Sequence, residues 1–346
     1  MQNYVDKRCD LLNEKGHLTC PGYSTAEVWD YERADIKAPA MRIKEWDYYY
    51  VGNEKFGVAL TIADNSYMGL ISASLLDFTD GFQVTKSKIL PFTFGKLALP
   101  PSADAGETSY KSNKLEMSFR VKDKERHLRC HYQDFSDGMP LILDVKLTDQ
   151  PRDRMVIATP FAGKKTSFYF NQKINCMHAE GYVQMGERGY TLGSDPKDMG
   201  LLDWGRGVWT YKNTWYWSSL NTVLADGRKF GFNLGYGFGD TSAATENMLF
   251  VDGVADKLED VVFEIPKNEA GAYDYLAPWR VASPDGRVNL TFTPILNRAA
   301  KMSLGLLASD QNQVFGKFSG TVTLSNDEVL AVEDAVGFAE RVYNKW

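Results

Sequence analysis

The sequence predicts an all-β protein made of two barrels or strongly curved antiparallel sheets packed together, with few short helices. Three observations predict it. Apolar and polar residues alternate along most of the chain. Asp-Gly turn signals recur. Aromatic residues make up 13% of the 346 residues, with 8 Trp, 18 Tyr and 19 Phe. Alternation at period two marks half-buried strands, aromatic side chains suit strands and ring-rich cores, and regularly spaced turns join short strands into sandwiches or barrels.

Taken in order, EKFGVALTIADNSYMGLISASLLDF (54–78), KLEMSFRVKDKERHLRCHYQDF (114–135) and PLILDVKLTDQ (140–150) alternate and are bounded by Gly, Asp, Asn or Pro. Asp-Gly falls at 80–81, 137–138, 226–227, 252–253 and 285–286, and Ser-Asn-Asp at 325–327. Short helices are expected only near 6–15, 109–113 and 298–309. Each half carries an aromatic-rich strand followed by a glycine-containing one, at 46–64 and 215–240. Two similar barrels account for this, as does chance likeness between β-rich halves. TDQPRDRM (148–155) suggests a boundary near 160, hence an N-terminal barrel over 1–160 and a C-terminal one over 161–346.

Composition excludes some functions. The net charge is −6 with 39 basic and 45 acidic residues, and no basic run marks a nucleic-acid surface. No stretch approaches the ~20 apolar residues of a membrane span. The four cysteines are scattered at 9, 20, 130 and 176 without a CxxC, and the first residues, MQNYVDKRCDLLNEKG, contain no apolar run. These features point to a reduced, cytoplasmic, soluble protein. No Gly-rich phosphate loop opens a helix and no GxSxG elbow appears, so no cofactor is expected. His127 and His131 share a strand face beside Cys130, but zinc needs further ligands, and no metal is expected. His178 beside Glu180 reads as a hydrogen-bonded histidine or an acid/base one.

The chemistry concentrates in LLDWGRGVWTYKNTWYWSSL (201–220), with four tryptophans beside Asp203 and Arg206. A hairpin over 214–239 with a two-residue Asp226-Gly227 turn of type I′ would pair Trp217 with Tyr236 and Trp215 with Phe238. The opposite face then carries Tyr216 and Asn233 among Gly231, Gly235, Gly237 and Gly239. Glycine at period two calls for a reason: either room for a ligand beside Tyr216 and Asn233, or close packing by another sheet. Asp203 and Arg206 read as an ion pair closing a barrel end, or as a carboxylate tuned by Arg206 and by burial against Trp204. The loop GDTSAATENMLFVDG adds Asp240, Glu246 and Asn247 at a barrel mouth, where sites concentrate. Glu246 is a candidate second carboxylate facing Asp203. In EWDYYY, Glu45, Asp47 and Tyr49 take one face and Trp46, Tyr48 and Tyr50 the other. Glu340 either closes the second barrel through Arg341 or reaches the cavity.

DWGRGVWTYKNTWYWSSL, IKEWDYYYV (43–51), TENMLFVDG and VFGKFSGTV…GFAERVYNKW resemble the bacterial family catalogued as domain of unknown function 2804, over roughly 20–346. More remotely, GYTLGSDPKDMGLLDWGRGVW (189–209) resembles the Gly…Asp…Trp-Gly pattern of double-lipocalin (calycin) proteins such as carotenoid 1,2-hydratase and AttH-like proteins. The resemblance implies two lipocalin-like barrels and a cavity for an apolar ligand. It implies also that water addition begins with protonation by an acid, which Asp203 matches. Arg206 departs from that pattern, since a fixed cation favours the ionised carboxylate, a poor proton donor.

Three functions follow. The first is a small-molecule protein whose cavity takes a lipid-like or isoprenoid ligand, with acid catalysis by Asp203 or Glu246 and with Trp204, Trp215, Tyr216, Trp217, Asn233, Tyr236, Asp240 and Asn247 about the ligand. The second is a carbohydrate-active hydrolase or lyase using paired carboxylates beside a tryptophan platform. The third is a non-catalytic scaffold.

Overall fold

The computed structural model describes residues 2–304 and 307–345, and among them the secondary structure is strand apart from two short 3-10 turns at Arg33–Asp35 and Ala40–Arg42. Two large antiparallel sheets form. The first runs Phe82–Pro91, Met68–Asp77, Phe56–Asp64, Ile43–Gly52, Met199–Val208, Lys164–Met185, Met139–Thr148, Glu125–Ser136, Leu115–Lys122 and Gly106–Lys111. Met155–Phe161 and Arg188–Leu192 pair with the long strand Lys164–Met185, and Gly22–Ser24 pairs with Met155–Phe161. The second runs Val254–Lys257, Met248–Val251, Lys229–Tyr236, Lys212–Val223, Val329–Lys345, Leu307–Thr323, Val288–Leu304, Trp279–Ala282 and Val262–Glu264. Each sheet curls around its own apolar cluster, and a third cluster, including Tyr48, Tyr169, Trp209, Trp217 and Phe338, lies between the sheets.

The expected helices do not form. Cys9–Asp10 pairs in parallel with Trp29–Asp30, and residues up to Lys111 belong to a strand. Over 298–309, the helix-favouring Ala299, Ala300 and Met302 instead pair with Asn312, Gln311 and Ser309 in a long hairpin, while 305–306 lie outside the described residues. Cross-strand pairing outweighs propensity there. The chain passes between the sheets at residues 209–211, so the boundary anticipated near 160 falls inside the first sheet, at the hairpin joining Met155–Phe161 to Lys164–Met185.

The Asp-Gly turns divide into two kinds. At 137–138 and 252–253 both residues have positive φ, as a type I′ turn requires. At 226–227 only Gly227 does (φ +89°), and Leu224 N donates to Arg228 O. The loop therefore holds three residues, with the glycine in the left-handed bulge position, and the register moves by one. Tyr216 faces Tyr236 and Trp217 faces Gly235, correcting the expected Trp217–Tyr236 and Trp215–Phe238 pairs.

On the face of the first sheet turned to the second, packing is close. Gly205 lies opposite Trp46 on the neighbouring strand, and a side-chain carbon there would overlap the indole ring. We expect Gly205→Ala to cost about 1–3 kcal/mol, as overpacking does, read as a lower urea midpoint with an unchanged slope.

Candidate functional site

A cavity of about 410 Å³ opens between the two sheets. From the first sheet come Trp46, Tyr48, Tyr169, Lys173, Asp203 and the connecting Trp209. From the second come Trp215, Trp217, Phe238, Arg298, Gln313 and Glu340. The strands supply them by alternation. Tyr169, Asn171 and Lys173 turn toward the second sheet, whereas Phe168 and Phe170 enter the first core.

The polar centre is small and buried. Lys173 Nζ lies 2.7 Å from Asp203 Oδ1, with both side chains under a tenth exposed. Asn171 Nδ2 donates to the same carboxylate at 2.8 Å. The ammonium also sits 4.1 Å from the Trp217 ring centroid, on the electron-rich face. Trp217 is fixed by its N–H donating to Asn233 Oδ1 at 2.7 Å, and Asn233 Nδ2 donates to the Glu246 backbone carbonyl. Across the cavity, Glu340 accepts from Trp215 Nε1 and from Gln313 Nε2, both at 2.9 Å. Burial, opposed by the Trp215 N–H, pushes the Glu340 carboxyl up to about 7. Burial raises Glu246 to about 7 as well, with Lys173 opposing and Asp203 adding to the rise. Glu246 accepts from Tyr169 OH at 3.1 Å through one oxygen, and its other oxygen is buried with no hydrogen-bond partner.

The predicted residues divide. Asp203, Trp215 and Trp217 line the cavity. Glu246 and Asn233 stand just behind it, close enough to Asp203 for the charges to interact. Arg206 does not meet Asp203. Three residues apart on a strand, they take opposite faces. Arg206 is fully buried inside the first sheet, 3.0 Å from Asp47, hydrogen-bonded to the carbonyls of Trp46, Gly205 and Pro100, and stacked on Trp204. Glu45 lies beside it and pairs with Arg33, so Trp204 and Arg206 belong to this core. Tyr216 and Tyr236 stack on each other at 4.5 Å, on the face turned to the second sheet's core. Asp240 is exposed and accepts from Ser242 N. Asn247 is buried, accepting from Gly235 N and donating to Glu259 O. His127 bonds Asp144 at 2.5 Å on the outer part of the first sheet. Among the described residues no three His, Cys, Asp or Glu side chains are grouped to hold a metal.

The glycine face is a correction. With the true register, Gly231 and Gly235 share the Trp215–Trp217 face, and protein fills the space above them. The Cys176 thiol, on a bulge of Lys164–Met185 where φ is +59°, covers Gly231, and the Glu246 carboxyl covers Gly235. The hollow lies beside them, above the tryptophans. Sequence reading missed Lys173, Tyr169 and Gln313. Lys173 had a signal, because NQK interrupts the apolar run SFYFNQKINCM in the middle of a strand.

Two curled antiparallel sheets with a ring-lined cavity between them define a double lipocalin-like protein. The chain matches the model of the family described as Domain of unknown function (DUF2804) over residues 2–346, and it belongs to that family. Among curated proteins none matches its sequence. Solved structures share the fold. One is an AttH candidate from Nitrosomonas europaea, 13% identical, with 92% of this chain and 98% of that one covered at a TM-score of 0.55. Another is CghA with Sch210972, 11% identical, with 88% of each chain covered at 0.53. Kievitone hydratase from Nectria haematococca, 12% identical with 88% of each chain covered, reaches 0.43, too loose an overlap to bear on function. Among the described residues no helix is long and apolar enough to cross a membrane.

Two measurements check this geometry. Arg206→Ala leaves Asp47 and Glu45 short of a buried cation and is expected to cost about 3–5 kcal/mol. The raised carboxyls set a pH dependence. Glu246 and Glu340 keep their protons to about 7 in the fold, against 4.5 ordinarily. Between those values the folded protein binds more protons than the unfolded chain, so stability falls as pH rises from about 4.5 to about 7. Glu340→Gln should flatten that decline by up to ~1.4 kcal/mol per pH unit in denaturant titrations.

Proposed function

We propose that this protein binds a largely apolar, unsaturated small molecule in the inter-sheet cavity and protonates it, in the manner of a hydratase or cyclase. The observation that carries this reading is a buried carboxyl, Glu340, facing a ring-lined hollow with its pKa raised to about 7. Such a group holds a proton near neutrality and can give it up there. The acid is thus Glu340 rather than Asp203, which Lys173 and Asn171 engage. Glu246 sits behind Tyr169 as a second proton reservoir.

Proton transfer from Glu340 to an alkene carbon leaves a carbocation on the neighbouring carbon. The rings of Trp215, Trp209 and Phe238 that line the hollow stabilise that charge, while the Lys173 ammonium stays on Asp203 and the Trp217 face. Water, or a second double bond of the same molecule, supplies the electron pair. The proton released afterwards returns to Glu340. The four free cysteines suit a reducing, cytoplasmic setting.

A non-catalytic scaffold is the second reading, favoured by the protein-filled glycine face. The carbohydrate reading is weaker, since Asp240 and Tyr216 stand away from the cavity. The test is a panel of isoprenoid alcohols and polyenes incubated in D₂O, with binding read by tryptophan quenching and deuterium uptake by mass spectrometry. Glu340→Gln should lower uptake at least ~100-fold, within the range of general acid catalysis, while affinity stays within about threefold. The rate should fall as pH rises through about 7, where Glu340 loses its proton. Uptake undiminished in Glu340→Gln would remove the acid from this scheme, and a panel in which no member binds or takes up deuterium would favour the second reading.

A further inference from the structure

The geometry assigns an anion seat to Arg298, so that the cavity's ligand is an amphiphile with a carboxylate or similar anionic head rather than a neutral hydrocarbon. This rests on the reading that the cavity takes a largely apolar ligand. The chain carries a net charge of −6, yet the cavity lining reverses that sign. Lys44, Lys173, Arg298, Lys301 and Lys345 face it, against Asp203 and Glu340.

Two of those cations are engaged. Lys173 is paired with Asp203, and the Lys44 ammonium is held by the carbonyls of Met41 and Asn65, with burial bringing it down to about 7. Arg298 differs. It is half-buried on strand Val288–Leu304, directly across from Gln313, which is itself across from Glu340. Its Nη1 donates to Ser74 Oγ of the first sheet at 2.9 Å, which holds the guanidinium across the gap between the sheets. Among the described residues no carboxylate lies within 4.0 Å of it.

A guanidinium has five N–H donors, and one hydrogen bond to a serine leaves room for a bidentate carboxylate. In a partly dry cavity that contact is stronger than in water. Strands lie ~4.8 Å apart, so the backbones of Arg298 and Glu340 are on the order of 10 Å apart across the sheet. A head held at Arg298 lies beside the Glu340 end of the cavity, where the Arg298 charge already acts on that carboxyl, and the apolar body extends toward the tryptophans. Lys301 is exposed and attracts an anion from solvent, and the half-buried Lys345 ammonium lies over the Tyr211 ring.

The test compares all-trans-retinoate with its methyl ester by tryptophan quenching at pH 8 and low salt. The acid should bind the unaltered protein at least tenfold more tightly than the ester. Arg298→Gln should bring the acid to within two- to threefold of the ester, the acid losing at least fivefold more affinity than the ester. Arg298→Lys, which keeps a charge and is the safer variant for folding, should retain part of the preference. Equal binding of acid and ester by the unaltered protein overturns the anion seat and leaves the apolar-ligand reading standing. So does an acid preference that survives both substitutions. If neither compound binds, the apolar-ligand reading fails and the anion seat falls with it.

Discussion

Three neighbouring strands of this protein are covered on both faces, and the rest of the structure depends on that constraint. Ile43–Gly52, Met199–Val208 and the first part of Lys164–Met185 are almost entirely buried. One face of each looks into the first sheet's core and the other toward the second sheet. Because successive side chains point opposite ways, one strand serves two interiors at once. Glu45, Asp47 and Tyr49 enter the core, while Trp46 and Tyr48 reach the cavity. Arg206 takes the first side and Asp203 the second. A register slip of one residue would exchange the two sets and strand a charge in each wrong interior.

The same layer thereby separates two buried polar systems. On the core side, Arg206, Arg33, Glu45 and Asp47 pair with one another with help from Tyr31, Thr108 and backbone carbonyls, although Arg206 Nε has no hydrogen-bond partner. Buried charges are tolerated when they are paired and hydrogen-bonded, and this group has the character of a structural clamp. On the cavity side the burdened groups are carboxyls. Glu246 keeps an oxygen without a hydrogen-bond partner, and Glu340 keeps a raised pKa because burial outweighs its two donors. Strained ionisation next to a hollow is characteristic of functional sites. The two carboxyls at about 7 both feel the charges of Lys173 and Asp203, the ammonium opposing their rise and the carboxylate adding to it.

Much of the fold was legible in the sequence because period two survives in a protein this rich in strand. Alternation and turn dipeptides marked the strands, and the face assignment of EWDYYY follows from counting alone. The site was legible only in part. Asp203, Trp215 and Trp217 stood out by composition. Tyr216, Tyr236, Trp204 and Arg206 stood out equally, yet the structure turns them elsewhere. The hairpin shows why. Asp226-Gly227 fits both a two-residue and a three-residue loop, and the choice between them decides which tryptophan meets a glycine.

What the sequence determined by itself is local: strand or turn, one face or the other, and the separation of Asp203 from Arg206 by an odd number of residues. Only the tertiary structure decided which elements share an interior. Lys173 meets Asp203 across neighbouring strands, Trp217 meets Lys173 between sheets, and Glu340 arrives from near the far end of the chain. Those meetings depend on how two curled sheets stack, which is fixed by the summed burial of many side chains rather than by any one stretch of residues.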